Sequence, residues 1–227
     1  MPEITTLAAL RHAIAPPASA GGRLRLGLPD MDAALGGGLL LAGAHEVLAE
    51  PGAGEAALGA ATGFAVCLAA SLLRQDGAGR PLLWVGSRPD LYPLGLCAYG
   101  LNPALLLLAA APDQREALHT AETALRSGAV AAVLAELVAP DAVAARRLML
   151  ACQRGGATAL ILRHPPRGAP LTLATRWLIG PAPCQGRPRW QVTLIRAQGG
   201  RPGSWLMEGG SDIGFSPPPA MPEALAG

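Results

Sequence analysis

The sequence predicts a three-layer α/β fold: a mainly parallel sheet flanked by helices, with antiparallel strands along its C-terminal edge. Three observations carry this. Short apolar runs alternate with helical segments from His45 to Arg163, the pattern of parallel strands buried on both faces. Residues 45–59, HEVLAEPGAGEAALG, pass from an apolar strand through a Gly/Pro turn into a long Ala-rich segment, which is the layout of a phosphate-binding loop. After Arg163 the runs alternate polar and apolar between Gly/Pro turns, as antiparallel strands do.

The elements follow in order. Glu3–Ala15 carries Ile4, Leu7, Ala8 and Leu10 on one side and reads as a short amphipathic helix. Pro16, Pro17, Ser19, Gly21 and Gly22 then form a linker. Residues 1–22 are therefore expected to stand outside the body, with Ile4, Leu7, Leu10 and Arg11 available to a partner or to the chain's own domain. A helical turn at Asp30–Leu35 stops at three glycines. Strands are expected at His45–Ala49, Pro81–Gly86, Leu105–Ala109, Val130–Ala135 and Ala157–Arg163, and helices at Ala56–Arg74, Leu91–Tyr99, Gln114–Arg126 and Ala142–Arg154. Trp177–Gly180, Trp190–Ala197 and Ser204–Glu208 make the antiparallel extension. The body spans 23–214, and the proline-rich tail, 215–227, is expected to be disordered.

Composition narrows the function classes. At 227 residues the chain is one domain with short appendages. A net charge of +2 is too small to imply a nucleic-acid or membrane partner. The uncharged runs Ala56–Leu73 and Leu91–Pro112 read as buried core elements, since Pro93, Gly95, Gly100 and Pro103 break the second and the first is Ala/Gly-rich. Cys67, Cys97, Cys152 and Cys184 lack metal-site spacing and read mostly as buried free thiols, which fits a reducing cytoplasm. The N-terminus lacks the basic region of a signal peptide, so a cytoplasmic protein is expected. His12, His45, His119 and His164 give no metal spacing, and Ser87 lies outside a nucleophile elbow.

The loop itself departs from working chemistry. A phosphate-binding loop needs Lys to reach the outer phosphates and Ser or Thr to hold magnesium. Here Ala49 stands at the first loop glycine, Glu55 where Lys belongs and Ala56 where the hydroxyl belongs. The chain has no lysine at all: its 18 basic residues are all Arg. A degenerate nucleotide site would comprise Gly52, Gly54, Glu55, Ala56 and Glu136, the last at the end of the Val130–Ala135 strand. No catalytic residue, cofactor or metal is expected.

LPDMDAALGGGL at 28–39, the altered loop at 49–56, HTAETALRSGAVAAVLAEL at 119–137 and GRPRWQVTLIRAQGGRPGSWLME at 186–208 together resemble the RecA-like recombinase fold. More closely, over about residues 24–210, the chain is similar to the ImuA family, RecA-like accessory proteins of bacterial mutagenic DNA repair. The resemblance implies a RecA-like core with further departures from an active ATPase. Ser87 and Arg88 stand where such ATPases keep a water-activating Glu, and Glu136 where an Asp helps hold magnesium. It also implies two DNA-facing loops. One is the short Leu137–Asp141; the other, RHPPRGAPL, offers Arg163, His164 and Arg167 to phosphate or is a solvated turn.

Trp177, Trp190 and Trp205 read as exposed anchors for a partner or as cover for the sheet edge. The function implied is a non-catalytic adaptor of damage-induced (SOS) error-prone translesion synthesis. Its implied partners are ImuB, a polymerase homologue lacking catalysis, an error-prone replicative-type DNA polymerase, and RecA, with DNA met indirectly and self-association open. A weak or partner-activated ATPase and a SulA-like division inhibitor are the alternative readings.

Overall fold

The computed structural model describes residues 22–87, 91–163, 171–184, 186–210 and 214–216. The expected N-terminal helix, with Ile4, Leu7, Leu10 and Arg11, lies outside these residues, as do Arg88, His164, Arg167 and residues 217–227.

A two-stranded ribbon, β1 (Arg23–Leu24) and β2 (Leu39–Leu40), encloses the short helix α1 (Pro29–Ala34). Asp32 anchors the approach to α1 by accepting from the amides of Leu26 at 2.8 Å and Gly27 at 3.2 Å. Then come β3 (Ala44–Ala49), α2 (Gly54–Gln75), β4 (Leu82–Gly86) and the short α3 (Pro93–Leu96). They are followed by β5 (Leu106–Ala110), α4 (Gln114–Ser127), β6 (Ala132–Glu136), α5 (Ala142–Gly155) and β7 (Thr158–Arg163). The chain continues with β8 (Thr175–Ala182), β9 (Arg189–Ala197), β10 (Gly203–Gly210) and β11 (Gly214–Ser216). The large sheet has nine strands in the order β11-β10-β9-β8-β3-β7-β6-β4-β5. It is parallel from β8 to β5 and antiparallel from β8 through β11.

Alternate residues of the parallel strands serve opposite layers. Val47, Trp84, Leu134, Leu160 and Trp177 pack with α2, whereas Val85, Val133, Ala135, Ala159 and Ile161 pack with α4 and α5. β3, β4, β6 and β7 are covered on both faces, which is why their sequences are almost wholly apolar, whereas β5, at the sheet edge, leaves Leu107 and Leu108 exposed. α2 is buried almost all round, and its alanines let it lie close to the sheet. Among the described residues it is the one helix long and apolar enough to cross a membrane, with mean hydropathy 1.9, and 78% of that stretch is buried in the core. Asp113 and Asp141 cap α4 and α5, accepting from the amides of Glu116 at 2.8 Å and Ala144 at 2.7 Å. Gly155 is what lets these two helices meet: a Cβ there would lie 1.8 Å from the Leu125 carbonyl oxygen. Glu122 of α4 ties them again by pairing with Arg126 and with Arg147 of α5.

Several expectations are corrected. β8 pairs in parallel with β3, so the antiparallel extension begins one strand later, at β9. The segment expected as a helix from Leu91 to Tyr99 is only α3 and a 3₁₀ turn at Cys97–Tyr99: Pro93 sets its start and Gly100, left-handed at φ +80°, ends it. Phe215 and Ser216, assigned to the tail, belong to β11 and pair with β10. Cys67 and Cys152 are buried, but Cys97 and Cys184 are exposed; none of the four is in a disulfide. Burial pushes the Cys152 thiol up to about 12.

Trp177 and Trp190 are not exposed anchors: they are 0% and 2% accessible. Both pack on Phe64 of α2, with ring centroids 5.3 and 6.4 Å away, and Trp190 also stacks on Tyr99 at 6.0 Å. Trp205 is half-buried against the same core. Aromatics between Gly/Pro turns look alike in sequence whether they face solvent or a helix.

Candidate functional site

The loop between β3 and α2 turns through two glycines. Gly52 (φ +91°) and Gly54 (φ +56°) take left-handed backbone conformations, and open space surrounds both. Ala53 precedes the helix and provides no side-chain cap for its first amides. Glu55 and Ala56 lie exposed in the first turn of α2. A carboxylate at that position complements the positive end of the helix dipole. Glu55 thus supplies, from the chain itself, the negative charge that a phosphate would bring.

A cleft of about 490 Å³ opens beside this turn, at the carboxyl ends of β4, β6 and β7. This is where open α/β sheets hold their ligands. Its walls are mainly apolar: Leu58 and Val66 of α2, Leu91 and Leu96 from the segment after β4, Tyr99, and Leu162. Glu55 and Glu136 line it too, and no Arg or His among the described residues does.

Glu136 is the most constrained group in the cleft. It ends β6 and is half-buried, and its Oε1 accepts from the Trp84 indole Nε1 at 2.7 Å. Burial raises its pKa, and the Trp84 bond works against that rise. Its other oxygen, Oε2, takes no hydrogen bond from the described residues. Gly86 makes room for it: a Cβ at 86 would sit 2.6 Å from Oε2. Ser87 lines the cleft beside it. A phosphate oxygen brought to about 4 Å from either carboxylate would be repelled by roughly 4 kcal/mol at an effective dielectric constant of about 20.

Arg163, expected either to meet phosphate or to lie in a solvated turn, is instead 1% accessible. Its Nη1 pairs with Glu46, a fully buried acid in β3, and its Nε reaches the Val138 carbonyl at 3.4 Å. Arg176 of β8 approaches Glu46 from the other side, Nε to Oε2 at 3.2 Å. Register places Glu46 beside Ile161 of β7 and Arg176 of β8, so the trio clamps three adjacent strands. The physical reason is that a buried carboxylate must find cations, and the strand ends on either side supply them. The polar pair HE inside an otherwise apolar strand was the available signal.

The neighbouring His45 points to the opposite face. Its Nε2 donates to the Leu40 carbonyl at 2.8 Å, so its Nδ1 accepts from the Thr175 hydroxyl at 2.8 Å; that hydroxyl in turn accepts from Trp177 Nε1 at 2.8 Å. Burial lowers the His45 pKa to about 4.

The structure therefore brings Glu55 and Glu136 to one cleft, with Gly52, Gly54 and Ala56 on the adjoining loop and first helical turn. Trp205 lies on β10, away from it, and Arg163 is withdrawn into the core. Sequence reasoning missed Trp84 and Tyr99. The WVGS run at the end of β4 held the only cue, an aromatic donor just before a glycine. Among the described residues no three His, Cys, Asp or Glu side chains gather to hold a metal ion.

No family model matches the chain. Protein ImuA of Caulobacter vibrioides, from strain NA1000 / CB15N and from strain ATCC 19089 / CIP 103742 / CB 15, is 39% identical to it over 217 residues, covering 86% of this chain and 86% of that protein. With that identity spread over nearly the whole body, and the mainly parallel sheet edged by antiparallel strands, the chain belongs to the ImuA family.

Proposed function

We propose that this protein is a non-catalytic adaptor of damage-induced, error-prone translesion DNA synthesis in the cytoplasm, acting through protein contacts. The observation that carries the reading is the chemistry of the first turn of α2. A glycine turn leads from β3 into α2, but Glu55 and Ala56 occupy the first helical turn and a second carboxylate, Glu136, lines the adjoining cleft. Two carboxylates in that position repel a triphosphate, so the adaptor reading turns to the fold's surfaces.

Those surfaces suit protein contacts. β5 is an edge strand whose Leu107 is 50% exposed, and Tyr92 and Leu94, on the segment between β4 and β5, are 71% and 65% exposed. The partners the family resemblance implies are an ImuB-like polymerase homologue, an error-prone replicative-type DNA polymerase and RecA.

The test is capture of purified RecA and ImuB by the full-length protein, with and without ATP, beside a Leu7→Asp/Leu10→Asp variant. Capture without nucleotide is the expected result, and its loss in the variant would place a contact in the N-terminal segment. Capture only with ATP would overturn the adaptor reading in favour of a partner-activated ATPase. Capture of a tubulin-like division protein, with neither RecA nor ImuB bound, would favour a SulA-like inhibitor.

A further inference from the structure

We propose that the cleft beside α2 receives a cationic side chain, an arginine or lysine carried on an apolar segment of a protein partner. The inference rests on the adaptor reading and says what one of its contacts is made of.

Charge and shape carry it together. Glu136 presents one oxygen already fixed by Trp84 and a second, Oε2, with no donor among the described residues. Glu55 stands on the same cleft, and no described cation lines it to neutralise either acid. The intervening walls, Leu58, Leu91, Leu96 and Tyr99, are what an aliphatic stem covers while its charged head stays hydrogen-bonded. An Arg or Lys fits both requirements at once, and Arg can also use its planar fork.

The volume of about 490 Å³ lies within the range of small-ligand pockets and exceeds the need of a single methylene stem, leaving room for a flanking apolar residue. A protein source, as opposed to a free metabolite, is favoured by the apolar rim: Tyr92 and Leu94 stand exposed on the segment that also supplies Leu91 and Leu96. A partner that buries this rim shields the ion pair from water and strengthens it.

The test titrates the full-length protein with a capped Leu-Arg-Leu-Leu-Arg-Leu peptide and reads tryptophan fluorescence, since Trp84 lies in the cleft. The expected result is saturable binding that weakens about tenfold or more with Glu136→Gln, and equally when citrulline replaces arginine in the peptide. The amide oxygen that Glu136→Gln introduces can still accept from Trp84, so that variant is expected to fold; thermal melting checks this. Should it unfold, exposed Glu55→Gln replaces it, with weakening of about threefold or more expected.

No saturable binding below about 1 mM, no loss with either substitution, or undiminished binding of the citrulline peptide would overturn the inference. Displacement of the peptide by MgATP would overturn it as well. Failure of the peptide with nucleotide-free capture of RecA or ImuB intact would sink the cleft assignment alone. Loss of that capture would sink the adaptor reading.

Discussion

Glu46 and Glu136 lie two strands apart in one sheet, on β3 and β6 with β7 between them, yet they are treated in opposite ways. Glu46 is fully buried, and Arg163 and Arg176 close on it from both sides. Glu136 is fixed through one oxygen by an uncharged indole, and the other is left toward a cleft that no described cation lines. The first arrangement spends two arginines on joining strands. The second keeps a carboxylate ionisable, oriented and accessible, at some cost to stability. An acid held in that way is a binding-site candidate, and an acid held as Glu46 is belongs to the framework.

The sharpest way to break this comparison is to remove each acid. Glu46→Ala leaves Arg163 buried without its counter-charge, and a loss of about 3–5 kcal/mol is expected in urea unfolding. Replacing both partners, Glu46→Leu with Arg163→Met, is expected to recover at least half of that loss, because Arg176 is partly exposed and can turn its head to water. If the double variant is as unstable as the single one, the trio is not acting through charge compensation.

His45, next to Glu46 but on the other face, sharpens the point with a group buried neutral. Its folded pKa of about 4 lies below the ordinary value of 6.5, so the unfolded chain takes up the proton first. The contribution is complete above pH 6.5 and is lost as the pH falls toward 4, by about 3 kcal/mol in all. Unfolding midpoints across this window check it. His45→Gln is expected to remove this part of the pH dependence.

Gly86→Ala tests the cleft acid indirectly. The added Cβ meets Glu136 Oε2 and is expected to push the carboxylate off Trp84, costing about 1–2 kcal/mol and altering the near-UV circular dichroism. The smallest effect is expected from Glu136→Gln. Because burial raises the Glu136 pKa, ionising it disfavours the fold above the ordinary carboxylate range, so its removal should leave stability within about 0.5 kcal/mol or raise it slightly. A large loss instead would put Glu136 with Glu46 in the framework.

The layers of the fold were legible because strands buried on both faces leave an unmistakable apolar signature, and β3, β4, β6 and β7 carry it. The turn between β3 and α2 was legible for a local reason: glycines at 52 and 54 suit the positive φ found there. Pairing direction was not. β8 has the polar alternation of an antiparallel strand but lies parallel to β3, and nothing local distinguishes the two. Arg163 was misplaced because an arginine at the end of an apolar run looks solvated until the acid opposite it, 117 residues away in the chain, is known. Glu136 was found by its position at a strand end, whereas its indole donor, on β4, became visible only when β4 and β6 paired.

Gly63, in the middle of α2, has a wider reach than its missing side chain suggests. A Cβ there would lie 2.7 Å from Trp190 and 3.2 Å from Tyr99. Tyr99 is a wall of the cleft, while Trp190 belongs to β9 and is itself crowded by Gly209 of β10. One empty position on the helix thus lets the cleft and the far antiparallel strands share a single stacked ring pair. A side chain at 63 would have to displace that stack, so one substitution on the helix would disturb both regions at once.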